Sequence, residues 1–141
     1  MYIQYFASPK TALMSFNYMC TDASTRSFTT FRTGANDWGG GSTVFLDRHN
    51  VDCGANRVLN EWKLVRPSAN QIAIQYVCGF VPTRTTNCEL RATAWSSNGR
   101  GQVNFLDRHS VYCPGDKMIN RWQVQNDKNS NIRFLFNCCD A

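Results

Sequence analysis

Two stretches of the chain, IAIQYVC at 72–78 and IRFLFNC at 132–138, carry a bulky apolar residue at every second position. That period of two is the signature of a strand with one face buried and one wet. LNEWKLV at 59–65 and INRWQVQ at 119–125 alternate in the same way, with Trp and Leu or Val on one face. CELRATAW at 88–95 predicts a further strand before the loop SSNGRGQ. Near the start, MSFNYMC spaces Met14, Phe16, Tyr18 and Cys20 by two, and YIQYF precedes it. Turn-forming clusters separate these runs: CGANR, CPGDK, RPSANQ and NDKNSN. No window keeps a helical period with caps, so the pattern is all-β.

The strands recur. Residues 44–78 align with 104–138 without a gap at an offset of 60, matching Cys53 with Cys113, Asn60 with Asn120, Trp62 with Trp122 and Cys78 with Cys138. A partial third copy opens the chain, where Met14, Phe16, Tyr18 and Cys20 fall 58 residues before Ile72, Ile74, Tyr76 and Cys78. The organisation this predicts is the closing part of a first β repeat over 1–20, a second repeat over 21–78 and a third over 79–141. Each tandem unit of about 60 residues holds about four strands, in a prism-like or sandwich-like arrangement. The first strands lack their usual neighbours within such a unit. They have to fold onto the last unit or add to another subunit's sheet, and the second is the expectation.

The pentapeptide FLDRH occurs twice, at 45–49 and 105–109. On a strand it would set Asp47 and His49, or Asp107 and His109, on the same face as core residues, so a turn or bulge is expected near the Asp. A catalytic reading makes the Asp–His pair a general acid and base, or half of a metal site. No second carboxylate or nucleophile stands at a persuasive position beside it. A structural reading has the Asp cap backbone amides, the Arg pair with an acid or stack on Trp62, and the His donate one internal hydrogen bond. Repetition favours the structural reading, because a strand-pairing device is needed once per unit and an active site once per domain. Asp47, His49, Asp107 and His109 stay candidates for a repeated ligand site. Trp38, in GANDWGGGS, and Trp95, before SSNGRGQ, are candidates for stacking on a sugar ring.

Composition narrows the class. The chain of 141 residues is 43% hydrophobic and 13% aromatic, enough for a packed core. Fifteen Lys and Arg against ten Asp and Glu leave +5, but the cations are scattered singly. That argues against a nucleic-acid partner and allows loose attraction to acidic glycans. Seven cysteines without a C-x-x-C pair point to disulfides in an oxidising compartment rather than to zinc, so no metal or other cofactor is expected. Cys53 with Cys78 and Cys113 with Cys138, each 25 apart, are the simplest pairs. Cys20, Cys88 and Cys139 remain, of which two can pair. The odd thiol is expected at Cys139, where it could cross-link subunits. A Cys78–Cys88 hairpin bridge is the main competitor. Neither a secretory signal nor a membrane span is legible, so a mature or trimmed secreted chain is expected.

The order from Cys53 through EWKLV to IQYVC, its equivalent in the next unit, and the terminal RFLFNCC at 133–139 resemble the vitelline membrane outer layer family. That resemblance implies a three-fold β-prism of four-stranded sheets in an extracellular coat, related in architecture to carbohydrate-binding lectins. Where that family has an acidic segment before the last strand, this chain has RPSANQ and NDKNSN. The function expected is that of a secreted, non-catalytic β-repeat protein with a structural or assembly role in a coat or matrix. Its partners would be copies of itself or other matrix subunits. A lectin-like module binding acidic or neutral glycans is the alternative, and a hydrolase built on FLDRH is remoter still.

Overall fold

The computed structural model of the chain describes residues 2–7, 14–19, 25–83 and 85–141. Among the described residues there are twelve strands in chain order. They are β1 (Tyr2–Ala7), β2 (Met14–Met19), β3 (Arg26–Arg32), β4 (Asn36–Asp37), β5 (Asn50–Asp52), β6 (Arg57–Ser68), β7 (Gln71–Phe80), β8 (Thr86–Ala92), β9 (Ser96–Ser97), β10 (Ser110–Tyr112), β11 (Met118–Asn126) and β12 (Asn131–Asp140). All pairings are antiparallel. One sheet holds β3, β7, β4 and β6, and another holds β5, β11, β12, β8 and β9. The third runs β10-β1-β2.

Each long hairpin follows from the alternating runs. β6 and β7 pair from Arg57↔Phe80 to Ser68↔Gln71, and β11 and β12 from Met118↔Cys139 to Asn126↔Ile132. The core is a single main cluster that includes Leu59, Ile74, Leu106, Ile119, Trp122, Val124, Ile132, Phe134 and Phe136. Trp62 meets Trp122 across it at 4.9 Å between ring centroids. The short strand β5 leaves its own hairpin and pairs with the next one, through Val51↔Trp122. By the same logic β10 pairs with β1, through Ile3↔Val111. The first strands therefore find a neighbour within their own chain, contrary to the expectation that they add to another subunit. β1 lies between β10 and β2, so its backbone groups have a strand on each side.

Disulfides reinforce this frame. Cys53 is bonded to Cys78 and Cys113 to Cys138, each across 25 residues. Cys139 is bonded to Cys88, so it is not the odd thiol, and Cys88 is not available to Cys78. The six described cysteines satisfy one another, and Cys20 lies outside the described residues. Sixty residues before Cys88 and Cys139 stand Phe28 and Gly79, which face each other between β3 and β7. A Cβ at Gly79 would come 3.2 Å from the Phe28 ring, so the β3–β7 pair has an aromatic laid on glycine where the β8–β12 pair has a bond.

Candidate functional site

FLDRH does not lie on a strand. Each copy forms the end of a 3-10 turn, Thr43–Arg48 and Val103–Arg108, which resolves the clash of charge and core by turning the backbone out of the period of two. A tight glycine turn precedes each. Gly39 and Gly99 both have φ +57, and a Cβ at either would run into the ring of Phe45 or Phe105. The guanidinium of Arg48 lies 4.1 Å from the centroid of Phe45, and that of Arg108 lies 4.0 Å from Phe105. The Arg thus stacks on the Phe of its own pentapeptide and not on Trp62. Asp47 and Asp107 are exposed and have no hydrogen-bond partner among the described residues, so they cap nothing.

The histidines are the buried members, each 1% exposed. Nδ1 of His49 is hydrogen-bonded to Thr33 Oγ1 at 2.8 Å, and Nδ1 of His109 to Thr93 Oγ1 at 2.8 Å. Both threonines sit just beyond a strand, and each bonds the neighbouring strand twice. Thr33 Oγ1 accepts from the Ile74 N–H at 3.0 Å while its own N–H donates to Ile74 O at 2.9 Å. Thr93 does the same with Phe134. With the hydroxyl oxygen accepting a backbone proton, its own proton is free for Nδ1, which leaves the ring proton on Nε2. Ser96 Oγ lies 2.9 Å from Nε2 of His109. In the other copy Asn36 stands at that place and turns its amide to Gly34 O, and His49 Nε2 has no partner.

Burial holds both imidazoles below their ordinary value of 6.5. The adjacent Arg acts in the same direction and the adjacent Asp opposes it. A buried neutral ring bonded to Thr, with its Asp turned to solvent, is poorly placed to exchange protons with a substrate. The remaining perturbed groups lie elsewhere. The Asn87 amide and Lys117 hold Asp140 low beside the Cys88–Cys139 bond, and Asp140 in turn raises Lys117. Asn131 lowers Asp127 within a turn.

The two candidate tryptophans do not converge. Trp95 is 42% exposed, with the Arg133 guanidinium 4.4 Å above its ring. Trp38 is capped by Arg66 at 4.5 Å and lines an apolar groove of about 540 Å³. Trp62, Leu64, Leu46, Val103 and Trp122 share that groove. Its acids and bases are sparse, and among the described residues no three His, Cys, Asp or Glu side chains cluster closely enough to hold a metal ion. No helix among the described residues is long and apolar enough to cross a membrane.

Sequence reasoning did not single out Thr33, Thr93, Gly39, Gly99, Gly41, Gly101 or Ser96. The signal was available for all but the last, since these Thr and Gly positions also match at an offset of 60 once the alignment is carried upstream of 44. Compared with protein families, with curated proteins and with solved structures, the chain matches none.

Proposed function

We propose that this is a secreted, non-catalytic protein of tandem β repeats, similar in plan to the vitelline membrane outer layer prism, with a structural role in an extracellular coat or matrix. One observation carries the reading. The polar residues of FLDRH that look most like chemistry are used twice in the same way, with His tied to Thr, Phe laid on Gly and Arg laid on Phe. A device duplicated at that level of detail holds strands together, and a site for substrate would need its titratable groups open to solvent. Three disulfides in a small chain suit an oxidising exterior.

A lectin-like role is the second reading, favoured by the Trp38 ring in the wall of the groove. A glycan array with the purified protein separates the two. The structural role expects no saturable binding, together with recovery of the native protein from the insoluble extracellular fraction. Saturable binding to one glycan class, lost on Trp38→Ala, would replace it with the lectin reading.

A further inference from the structure

Of the three described disulfides, two are duplicated and one is not. Cys53–Cys78 and Cys113–Cys138 occupy equivalent places, with Cys53, Cys78 and Cys138 buried and Cys113 half-buried. Cys88–Cys139 has no equivalent, since Phe28 and Gly79 stand at its place 60 residues earlier. The β3–β7 pair keeps the same register without a bond, Thr29↔Cys78 matching Glu89↔Cys138 and Arg26↔Phe80 matching Thr86↔Asp140. The strand pairing therefore does not need this bond. Its two ends also differ, because Cys88 lies in an exposed run from Thr86 to Leu90 and Cys139 is 0% exposed. Polar contacts span the strands around it. The Asn87 amide donates to Asp140 Oδ2 at 2.7 Å, and Lys117 Nζ donates to Asn87 O at 3.0 Å. Lys117 also pairs with Asp140 at 3.0 Å and with Glu89 at 3.6 Å. These contacts hold β8 on β12 whether or not the sulfurs are joined, and in the other unit Ser27, Arg57, Phe80 and Thr29 replace them. Lys117 and Arg91 balance Glu89 and Asp140, so an incoming anion meets no net charge of its own sign.

Resting on the extracellular assembly role proposed above, we propose that Cys88–Cys139 is a thiol-exchange site through which the chain is joined covalently to its surroundings. The co-reactant is a thiolate from outside the chain, carried by a cysteine of a neighbouring subunit or by a small free thiol. It attacks in line with the bond that it breaks, and of the two sulfurs that of the exposed Cys88 is open to it. A new S–S bond forms at Cys88 Sγ. The Cys88–Cys139 bond breaks with its electron pair on Cys139 Sγ, and that thiolate takes up a proton from solvent. One disulfide replaces another, so no further oxidant or reductant is consumed. The two duplicated bonds are set in the core, where a thiolate reaches them only after local opening.

The test uses the intact folded protein, with any thiol already free first blocked by iodoacetamide. Reduced glutathione is added, the reaction is stopped with N-ethylmaleimide at intervals, and the peptides are mapped. Glutathione is expected on Cys88 and maleimide on Cys139, appearing about tenfold or more faster than label at the other two bonds. Tryptophan emission should keep its folded maximum once that pair has reacted. Cys88→Phe with Cys139→Gly, which copies the other unit, should capture no glutathione at that rate. A cysteine peptide of matched thiol pKa separates the sources: faster capture than glutathione assigns a protein subunit, and slower capture assigns a small thiol. Equal rates at the three bonds, reaction only together with unfolding, or glutathione on Cys139 would overturn the exchange site and leave the structural role to its own test. Saturable glycan binding would remove the structural role and leave the exchange site standing.

Discussion

Asp107 and Asp47 illustrate how a repeated charged residue can be dispensable to the fold. Both are exposed beside a buried His, and neither bonds a backbone amide. Asp107→Ala should therefore change stability by no more than about 0.5 kcal/mol, the usual range for an exposed position. A loss of about 1–3 kcal/mol in chemical denaturation, the cost of a broken buried hydrogen bond, would show that the carboxylate has a partner. Asn36 offers the opposite case. A Ser there would reproduce the Ser96–His109 contact for the unpartnered His49 Nε2. Asn36→Ser should raise stability by about 0.5–1.5 kcal/mol, measured as the shift in denaturant midpoint. The two imidazoles also set a pH dependence. Their folded-state pKa values lie below the unfolded value of 6.5, so the unfolded chain binds more protons between the two values. Stability should be complete above about pH 6.5 and fall as pH drops from there through the lowered folded values. Thr33→Val together with Thr93→Val should alter the steepness of that fall, and a flat profile between pH 7 and 4.5 would contradict burial of the neutral rings.

At the scale of elements, two equivalent strand pairs are joined by different means. Cys88–Cys139 joins the ends of β8 and β12 across 51 residues, and Phe28 on Gly79 joins β3 to β7. Loop-closure entropy assigns the bond about 4 kcal/mol. Cys88→Ala with Cys139→Ala should cost about that much, whereas Cys88→Phe with Cys139→Gly should recover part of it by copying the β3–β7 pair. Calorimetry under oxidising conditions measures both. Equal losses in the two double variants would mean that the aromatic–glycine contact contributes nothing. The alternating runs made the β6–β7 and β11–β12 hairpins legible, since a single shift of register would move Ile132, Phe134 and Phe136 to the wet face. The FLDRH turns were less legible. A turn or bulge was expected near the Asp, but a 3-10 stretch of six residues is two turns long, too short for its period to show in the sequence, and its contacts are to Gly39 and Thr33, which lie 6 and 16 residues away from Phe45 and His49.

Across the whole molecule, equivalent positions have different surroundings because the short strands pair forward, β5 on β11 and β10 on β1. Val124 is 2% exposed and Leu64 is 44% exposed. Val124→Asp should place an unpaired carboxylate among Trp and Phe rings and cost about 3–5 kcal/mol, or prevent folding. Leu64→Asp should cost about 1 kcal/mol or less. Circular dichroism melts of the two variants compare them directly. Similar losses would mean that the β6 face is covered in the free protein.

The alternation of apolar residues, the recurrence at 60 and the equal spacing of two cysteine pairs are local or one-dimensional properties, and they determined the β class, the hairpins and the cysteines that could pair equivalently. Partner choice was another matter. Which edge β5 and β10 would take, that Cys139 would reach Cys88 and not remain free, and that Thr33 and Thr93 would hold the histidines depended on where sheets meet in space. A strand edge presents the same backbone donors and acceptors to any neighbour, so sequence alone does not distinguish one partner from another. Packing in space decided the matter, as where Trp62 meets Trp122 at 4.9 Å between ring centroids across the core.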